Sequence, residues 1–245
     1  MSKYRKKRKM KKNSANPKAP SVGLDAAAGA VRTAFGLVWA IDAYLKLQPV
    51  FLTGYLDIIQ GAAKGQPAWL APWFNFWINT ISLSPAFFAW STRIIEIAIA
   101  ISLLFGLGRK WMYFLGAIFS FIIWAVPEGL GGPYAPGATD IDAGLIYVLV
   151  FVALIVIDSA LGRSPYSVDY YIERAFPNWR RIAEWGSPEV LAQEPPILPW
   201  SIQLPIIAGL VIILLIAFIL LTAAINTASS SSSSINQFVQ MMAFL

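Results

Sequence analysis

Residues 85–107 read PAFFAWSTRIIEIAIAISLLFGL, and this stretch decides the fold class. It holds only two ionisable side chains, Arg93 and Glu96. A helix of about 20 apolar residues crosses a hydrocarbon core about 30 Å thick. The stretch therefore predicts a transmembrane helix with a carboxylate near its middle.

Four further apolar stretches have comparable lengths: 24–47, 111–127, 141–161 and 205–225. The chain of 245 residues is 57% hydrophobic and 13% charged, whereas soluble domains carry roughly 25% charged residues. We therefore expect an all-α membrane protein, a four-helix transmembrane bundle plus one additional C-terminal transmembrane helix.

The basic charge is concentrated at the N-terminus. Nine of the 19 Lys and Arg residues lie at or before Lys18, and the rest of the chain has 10 basic against 13 acidic residues. The net charge of +6 thus describes a tail and not a nucleic-acid-binding face. Residues 1–23 are predicted to be a disordered tail. A signal peptide is the competing interpretation, but the apolar stretch that follows continues to Leu47.

Lys and Arg are enriched on cytoplasmic loops of membrane proteins. With the tail inside, 15 basic residues lie on the inner side and only Lys64 lies outside. This predicts a plasma-membrane protein with a cytoplasmic N-terminus and an extracytoplasmic C-terminus. The predicted units are the tail (1–23), a four-helix membrane domain (24–161) and a cytoplasmic linker with short amphipathic helices (162–204). A fifth transmembrane helix (205–226) and a Ser-rich extracytoplasmic tail (227–245) follow. The linker is either solvated or a docking platform for a partner subunit.

The outer segment 48–84 contains three tryptophans, Trp69, Trp73 and Trp77, at positions i, i+4 and i+8. This spacing predicts a helix over 67–83 with one aromatic face, lying in the membrane interface. The aromatic face either anchors the outer rim of the protein or covers a ligand site.

Charges inside the spans are the most informative residues, because each costs roughly 2.5–3.5 kcal/mol at mid-membrane on insertion scales. At about 1.5 Å rise per residue, Arg32 reaches the depth of Glu96, and Arg93 reaches that of Asp42. We therefore predict these two ion pairs across the first two spans, and a second cation, Lys46, that shares Asp42 one turn away. The pairs are either structural, or Glu96 and Asp42 handle protons or a polar headgroup.

The sequence contains no Cys and no His. This excludes disulfides, thiol chemistry, His-ligated haem or copper and the usual zinc sites, so no metal site is predicted. Residues 127–140 form a loop dense in Gly and Pro, whose glycines permit turns with positive φ. The side chains of Glu128, Asp140 and Asp142 make its rim acidic, suited to a cation, a basic partner surface or plain solvation.

Three motifs resemble the DoxX/DoxD-like membrane proteins over about residues 24–160. The stretch from Arg32 through Gly36 to Lys46 is similar to their opening helix, and Glu96 to Gly106 is similar to their second helix. The loop over 128–132 resembles one branch of that superfamily. Asp42 stands where members of the family more often have a small residue.

The resemblance implies a membrane subunit of a quinone-linked respiratory oxidoreductase, similar to the DoxD-type subunit of thiosulfate:quinone oxidoreductase. The predicted proton-handling residues are Glu96 and Asp42. The predicted quinone-binding residues are Arg32, Lys46, Arg93, Trp73 and Trp77. The alternative is a non-catalytic accessory or assembly subunit of a larger membrane complex; a small-solute transporter is weaker, because no internal repeat is visible. The expected partners are the lipid bilayer and other membrane subunits.

Overall fold

The computed structural model describes residues 22–133 and 141–192. Within these ranges the chain is entirely helical, with short turns between helices, which confirms the all-α prediction. The helices are α1 (Val22–Lys46), α2 (Pro49–Ala63), α3 (Ala71–Ser82), α4 (Pro85–Phe105), α5 (Arg109–Ala125), α6 (Ala143–Leu161), α7 (Val168–Ala175), α8 (Arg180–Ala183) and α9 (Pro188–Leu191). Residues 1–21 of the predicted N-terminal tail, the fifth span and the Ser-rich tail lie outside the described residues, whereas Val22 and Gly23, predicted to be in the tail, begin α1.

Three of the described helices are long and apolar enough to cross a membrane: Gly23–Lys46 within α1, Pro85–Phe105 and Ala143–Leu161. They coincide with three predicted spans. The predicted span at 111–127 corresponds to α5, which has 17 residues. At 1.5 Å per residue α5 is about 26 Å long, slightly less than a hydrocarbon core of about 30 Å.

Large apolar side chains cover the outside of these helices. Phe87 and Ile94 on α4, Leu149 and Val156 on α6, and Leu115 on α5 are all at least half exposed. A soluble protein rarely exposes a contiguous apolar surface of this extent. Lipid acyl chains are the environment that suits it.

The long helices pack as two pairs, α1 with α4 and α5 with α6, and the pairs meet around one aromatic core. In this core Phe35 and Trp39 of α1 contact the ring of Phe151 of α6, with centroids 5.0 and 5.9 Å apart. Small residues permit the close approach. A Cβ on Gly36 would lie 2.8 Å from the backbone nitrogen of Leu104, so glycine brings α1 and α4 together as small residues do in membrane bundles.

Gly106 ends α4 in a left-handed conformation, with φ 65° and ψ 52°. Its amide donates to the carbonyl of Ser102 over 2.7 Å, as expected for a glycine that closes a helix. A Cβ at this position would lie 2.6 Å from both Arg32 Nη1 and Ser167 Cβ. Both the backbone conformation and the packing therefore require glycine here.

The segment between α1 and α4 folds differently from its prediction. It forms two helices, α2 and α3, and α2 was not predicted; its signal was Pro49 at the first helical position. The helix expected over 67–83 begins only at Ala71, because Ala68–Leu70 forms a tighter turn. Trp69 is therefore off the helix and 75% exposed, while Trp77 packs against the buried cluster of Ile59 and Ile81. The prediction of a single continuous Trp face was therefore wrong.

The loop after α5 confirms the expectation for its glycines. Gly129 and Gly131 have φ of 61° and 71°, a region that glycine enters without strain. Gln66 donates to the carbonyl of Gly129 over 2.9 Å and so ties this loop to the turn after α2.

Candidate functional site

The charged residues predicted within the first two spans meet between α1 and α4, as expected. Arg32, Arg93 and Glu96 are all buried in this interface. Their partners differ from the prediction, however, because the carbonyls at the helix C-termini lack partners within their helices and accept from the arginines.

Arg93 does not pair with Asp42, so that prediction was wrong. Its guanidinium donates to the carbonyl of Lys46, and to that of Gln48 over 2.9 Å. The last carbonyls of a helix have no partner within the helix, and α1 ends at Lys46. A cation here also complements the negative end of the helix dipole. The guanidinium lies over the Trp90 ring, 4.9 Å from its centroid.

Arg32 does not pair with Glu96, and that prediction was also wrong. Arg32 Nε donates to the carbonyl of Leu103 over 2.9 Å, and Nη2 donates to the carbonyl of Tyr166 over 2.7 Å. Leu103 lies in the last turn of α4, so its carbonyl likewise lacks a helical partner. Each arginine thus satisfies the end of the other helix.

Lys46 takes the role that was assigned to the arginines. Its ammonium lies 2.7 Å from Asp42 Oδ1, which confirms the predicted i, i+4 pair, and 3.0 Å from Glu96 Oε1. A helical side chain leans toward the N-terminus of its helix, so Lys46 reaches back into the bundle. We call Asp42, Lys46 and Glu96 the carboxylate–lysine triad.

The triad spans from the surface to the interior of the bundle. The side chains of Asp42, Lys46 and Glu96 are 32%, 21% and 0% exposed. Apart from the Lys46 ammonium, neither oxygen of Glu96 has a hydrogen-bond donor among the described residues. A fully buried carboxylate with a single cationic partner is costly inside an apolar bundle, and such residues mark candidate functional sites.

A second charge network lies at the opposite end of the bundle, around Arg109. Its buried guanidinium pairs with Asp158 of α6 at 2.7 Å, with Glu184, and with Asp169 at 3.6 Å. The Asp169 carboxylate also accepts from the backbone amides of Gly108 and Arg109, at 2.8 and 3.0 Å. It thereby caps the start of α5, where free N–H groups attract an anion.

This network, which we call the Arg109 network, was not predicted. In the sequence Arg109 is only one of the 15 basic residues assigned to the inner side, and Asp158 was not predicted to be its partner. Glu184 is buried beside Arg109. Burial raises the pKa of Glu184 to about 8; Arg109 opposes the shift, and the neighbouring carboxylates Glu173 and Asp158 add to it. The sequence contains little signal for this network, because the four acidic residues of 162–192 are scattered and the segment holds as many arginines.

A small cavity of about 10 Å³ adjoins this network, which is room for one water molecule. The carboxylate of Asp25 lines it together with Arg32, Arg109 and Asp158. Asp25 is 1% exposed, and neither of its oxygens accepts a hydrogen bond from the described residues.

The predicted aromatic residues separate from the charged ones. Trp73 lines an apolar groove of about 650 Å³ between α3 and α5, and its indole N–H donates to the carbonyl of Ala125 over 2.8 Å. Trp77 lies in the packing cluster beneath α2 and α3. The groove is lined by Trp69, Leu70, Pro72, Trp73, Phe76, Phe121, Ala125 and Leu130. No titratable side chain lines the groove among the described residues, so the structure brings neither the triad nor the arginines to it.

The predicted acidic rim is reorganised. Glu128 turns inward and accepts from the amide of Gly144 over 2.8 Å at the start of α6. Burial raises the pKa of Glu128, and this hydrogen bond opposes the shift. Asp140 lies outside the described residues. Three or more metal-ligating side chains do not converge at any place in the described part of the chain.

Comparison with known proteins adds no relative: no protein-family model, no curated protein and no solved structure matches the chain. The resemblance to the DoxX/DoxD-like proteins therefore rests on the quoted residues and stays a prediction.

Proposed function

We propose that the protein is a multi-pass membrane subunit of a quinone-linked respiratory oxidoreductase, similar to the DoxD-type subunit of thiosulfate:quinone oxidoreductase. The observation that carries the proposal is the carboxylate–lysine triad, which connects a partly exposed Asp42 to a fully buried Glu96 through Lys46.

The chemistry of quinones requires such a group. Reduction of a quinone to a quinol takes up two electrons and two protons, and a membrane subunit must deliver the protons to a headgroup surrounded by lipid. A carboxylate that exchanges protons with a solvent-accessible neighbour is suited to general acid catalysis. In the proposed assembly, thiosulfate supplies the electrons through a partner subunit, since this sequence has no Cys or His to ligate a redox metal.

The apolar groove beside Trp73 supports the same proposal from a different side of the molecule. The groove is open to its surroundings and not enclosed, so it would contact a ligand from one side. It is walled by aromatic and aliphatic side chains, which suit the isoprenoid tail of a quinone. In this scheme the groove binds the isoprenoid tail.

The proposed topology completes the scheme. The helices α1, α4, α5 and α6 cross the plasma membrane as a four-helix bundle, and residues 205–225 add a fifth span. The end of the bundle that carries Arg109 faces the cytoplasm, as the distribution of basic residues favours.

The test uses the full chain, extracted in mild detergent together with the proteins that accompany it. Thiosulfate is the donor, and the reduction of decylubiquinone is followed by absorbance. We expect Glu96→Gln to lower the rate by tenfold or more. The matched control is Asp57→Asn, because Asp57 is an exposed carboxylate on α2; this variant should keep the full rate. Equal rates for both variants would refute the role of Glu96.

A second function, that of a non-catalytic accessory subunit, is favoured by the Arg109 network. Its ion pairs from Asp169 and Glu184 to Arg109 hold residues 163–184 against the bundle, which provides a platform for a partner. Native mass analysis separates the two functions. A stable larger assembly in which the quinone reductase activity is unaffected by Glu96→Gln supports the accessory function.

A further inference from the structure

Helix α7 has its polar side turned inward. Its buried residues are Asp169, Tyr170 and Glu173, whereas Val168 and Tyr171 are exposed. A surface helix of a soluble protein shows the reverse arrangement, with its apolar stripe facing the core. The chain that follows continues this pattern, because Phe176 is 68% exposed and Ile182 is 48% exposed.

The Arg109 network explains the inward polar side. Asp169 accepts from the amides at the start of α5, and Glu173 pairs with Arg163 at 2.8 Å and with Arg180 at 3.5 Å. The amide of Asp169 also donates to the carbonyl of Gly106 over 3.1 Å. These bonds hold α7 beside the turn between α4 and α5, at the level where the apolar helices end.

The charge left on the exposed side of this segment is basic. Arg174 and Arg181 are exposed, and Arg180 keeps a third of its side-chain surface. The acidic residues Asp169, Glu173 and Glu184 are all buried. We call the exposed surface formed by Val168, Tyr171, Arg174, Phe176, Arg181 and Ile182 the α7–α8 face.

We propose that the α7–α8 face lies in the lipid headgroup layer next to the Arg109 end of the bundle, where its arginines bind anionic phospholipid phosphates. Aromatic side chains that alternate with arginines are typical of segments at the membrane interface. The face adjoins the end of the bundle, because Asp169 of α7 is bonded to the carbonyl of Gly106 and to the amides at the start of α5. Its exposed positive charge complements anionic headgroups.

A partner protein is the competing occupant, but the position of the face favours lipid. The α7–α8 face is bonded to the turn at the end of the apolar helices, so in a membrane it lies at the depth of the lipid headgroups. The inference is independent of quinone chemistry, because it uses neither the triad nor the groove.

The test exploits the absence of cysteine from the sequence, since one introduced cysteine can be labelled without background. Tyr171→Cys carries an environment-sensitive nitrobenzoxadiazole probe in the full chain, reconstituted into nanodiscs. The nanodiscs contain phosphatidylcholine alone or mixed with phosphatidylglycerol, in both leaflets, so the result does not depend on orientation. Leu149→Cys on α6 is the reference for the acyl region, and Lys64→Cys in the α2–α3 turn is the aqueous reference.

We expect the probe at position 171 to emit at shorter wavelength than the probe at position 64. We also expect strong quenching by a headgroup nitroxide lipid and weak quenching by aqueous iodide. Phosphatidylglycerol should increase the wavelength shift, and the double variant Arg174→Gln/Arg181→Gln should remove this increase. The double variant retains the basic N-terminal residues. A loss of the phosphatidylglycerol effect at position 171 can therefore be assigned to the arginines of the α7–α8 face and not to the N-terminal residues.

Three results would overturn the proposal. Iodide quenching as strong as at position 64 would mean that the face is solvated. Protection from both quenchers would mean that protein covers it. A phosphatidylglycerol effect unchanged in the arginine double variant would mean that these arginines do not bind the anionic lipid.

Discussion

Arg32 and Arg93 stand in reciprocal positions: the arginine of α1 donates to the carbonyl of Leu103 near the end of α4, and that of α4 donates to the carbonyl of Lys46 at the end of α1. In this antiparallel pair, the C-terminal end of each helix is therefore capped by an arginine from the other helix. In a membrane, where water does not reach carbonyl groups, such closure satisfies bonds that would otherwise be lost.

The first prediction concerns this reciprocity. Replacing Arg93 by Lys keeps the charge but removes the planar group that donates to two carbonyls at once. We expect the free energy of unfolding to fall by about 2 kcal/mol, the typical effect of losing a hydrogen bond to a charged group. Thermal unfolding in detergent measures it, and Arg181→Lys, at an exposed position, is the matched control. Equal melting temperatures would contradict the capping role.

A second prediction uses two glycines that differ in their surroundings. Gly106→Ala should destabilise the protein by about 1–3 kcal/mol or more, because it forces a left-handed conformation on alanine and brings a Cβ against Arg32 and Ser167. Gly54→Ala in α2 meets nothing within 4 Å and should stabilise the helix by roughly 0.5–1 kcal/mol. Both variants are compared by thermal unfolding. A similar change in both would show that the turn at position 106 is less constrained than described.

The third prediction tests the pairing of Lys46 with Glu96. Removing one partner of a buried pair leaves an uncompensated charge and costs about 3–5 kcal/mol, so Lys46→Met should strongly lower stability. Adding Glu96→Gln should restore much of the loss, since the buried charge is then gone. Lys64→Met, in an exposed turn, should have little effect. If the double variant is as unstable as Lys46→Met alone, the two residues are not coupled.

The fourth prediction concerns pH. The pKa of Glu184 is raised to about 8 from an ordinary value of 4.5, mainly by burial. Its contribution to stability is present in full below about 4.5 and is lost as the pH rises through 8. Glu184→Gln should therefore flatten the fall in unfolding free energy over this range, as measured by denaturation at several pH values. An equally steep fall in Glu184→Gln would assign the dependence to other groups.

The sequence was sufficient to predict the long helices, because uninterrupted apolar length is a property of the chain alone. It also placed Arg32, Arg93 and Glu96 correctly between α1 and α4, since depth follows from the rise per residue. It did not predict their partners. Whether an arginine meets a carboxylate or a carbonyl depends on where the neighbouring helix ends, and a depth estimate does not contain that information.

The Arg109 network illustrates a second limit. Its members Arg109, Asp158, Asp169 and Glu184 come from four separate segments, and their convergence follows from how residues 162–192 fold back on the bundle. Similarly, α2 was missed because its glycines and its position between two spans gave no strong periodic signal. Trp73 and Trp77 share a helix, as predicted, but the later start of α3 leaves Trp69 outside it.

The aromatic core gives the bundle one more property. Phe35 and Trp39 lie on α1 between Arg32, which touches the Arg109 end, and Asp42, which belongs to the triad, and their rings pack on Phe151. The two charged clusters are thus separated by closely packed rings. In the proposed topology these rings form an apolar layer of low dielectric constant between the two clusters, which disfavours the passage of an ion from one to the other.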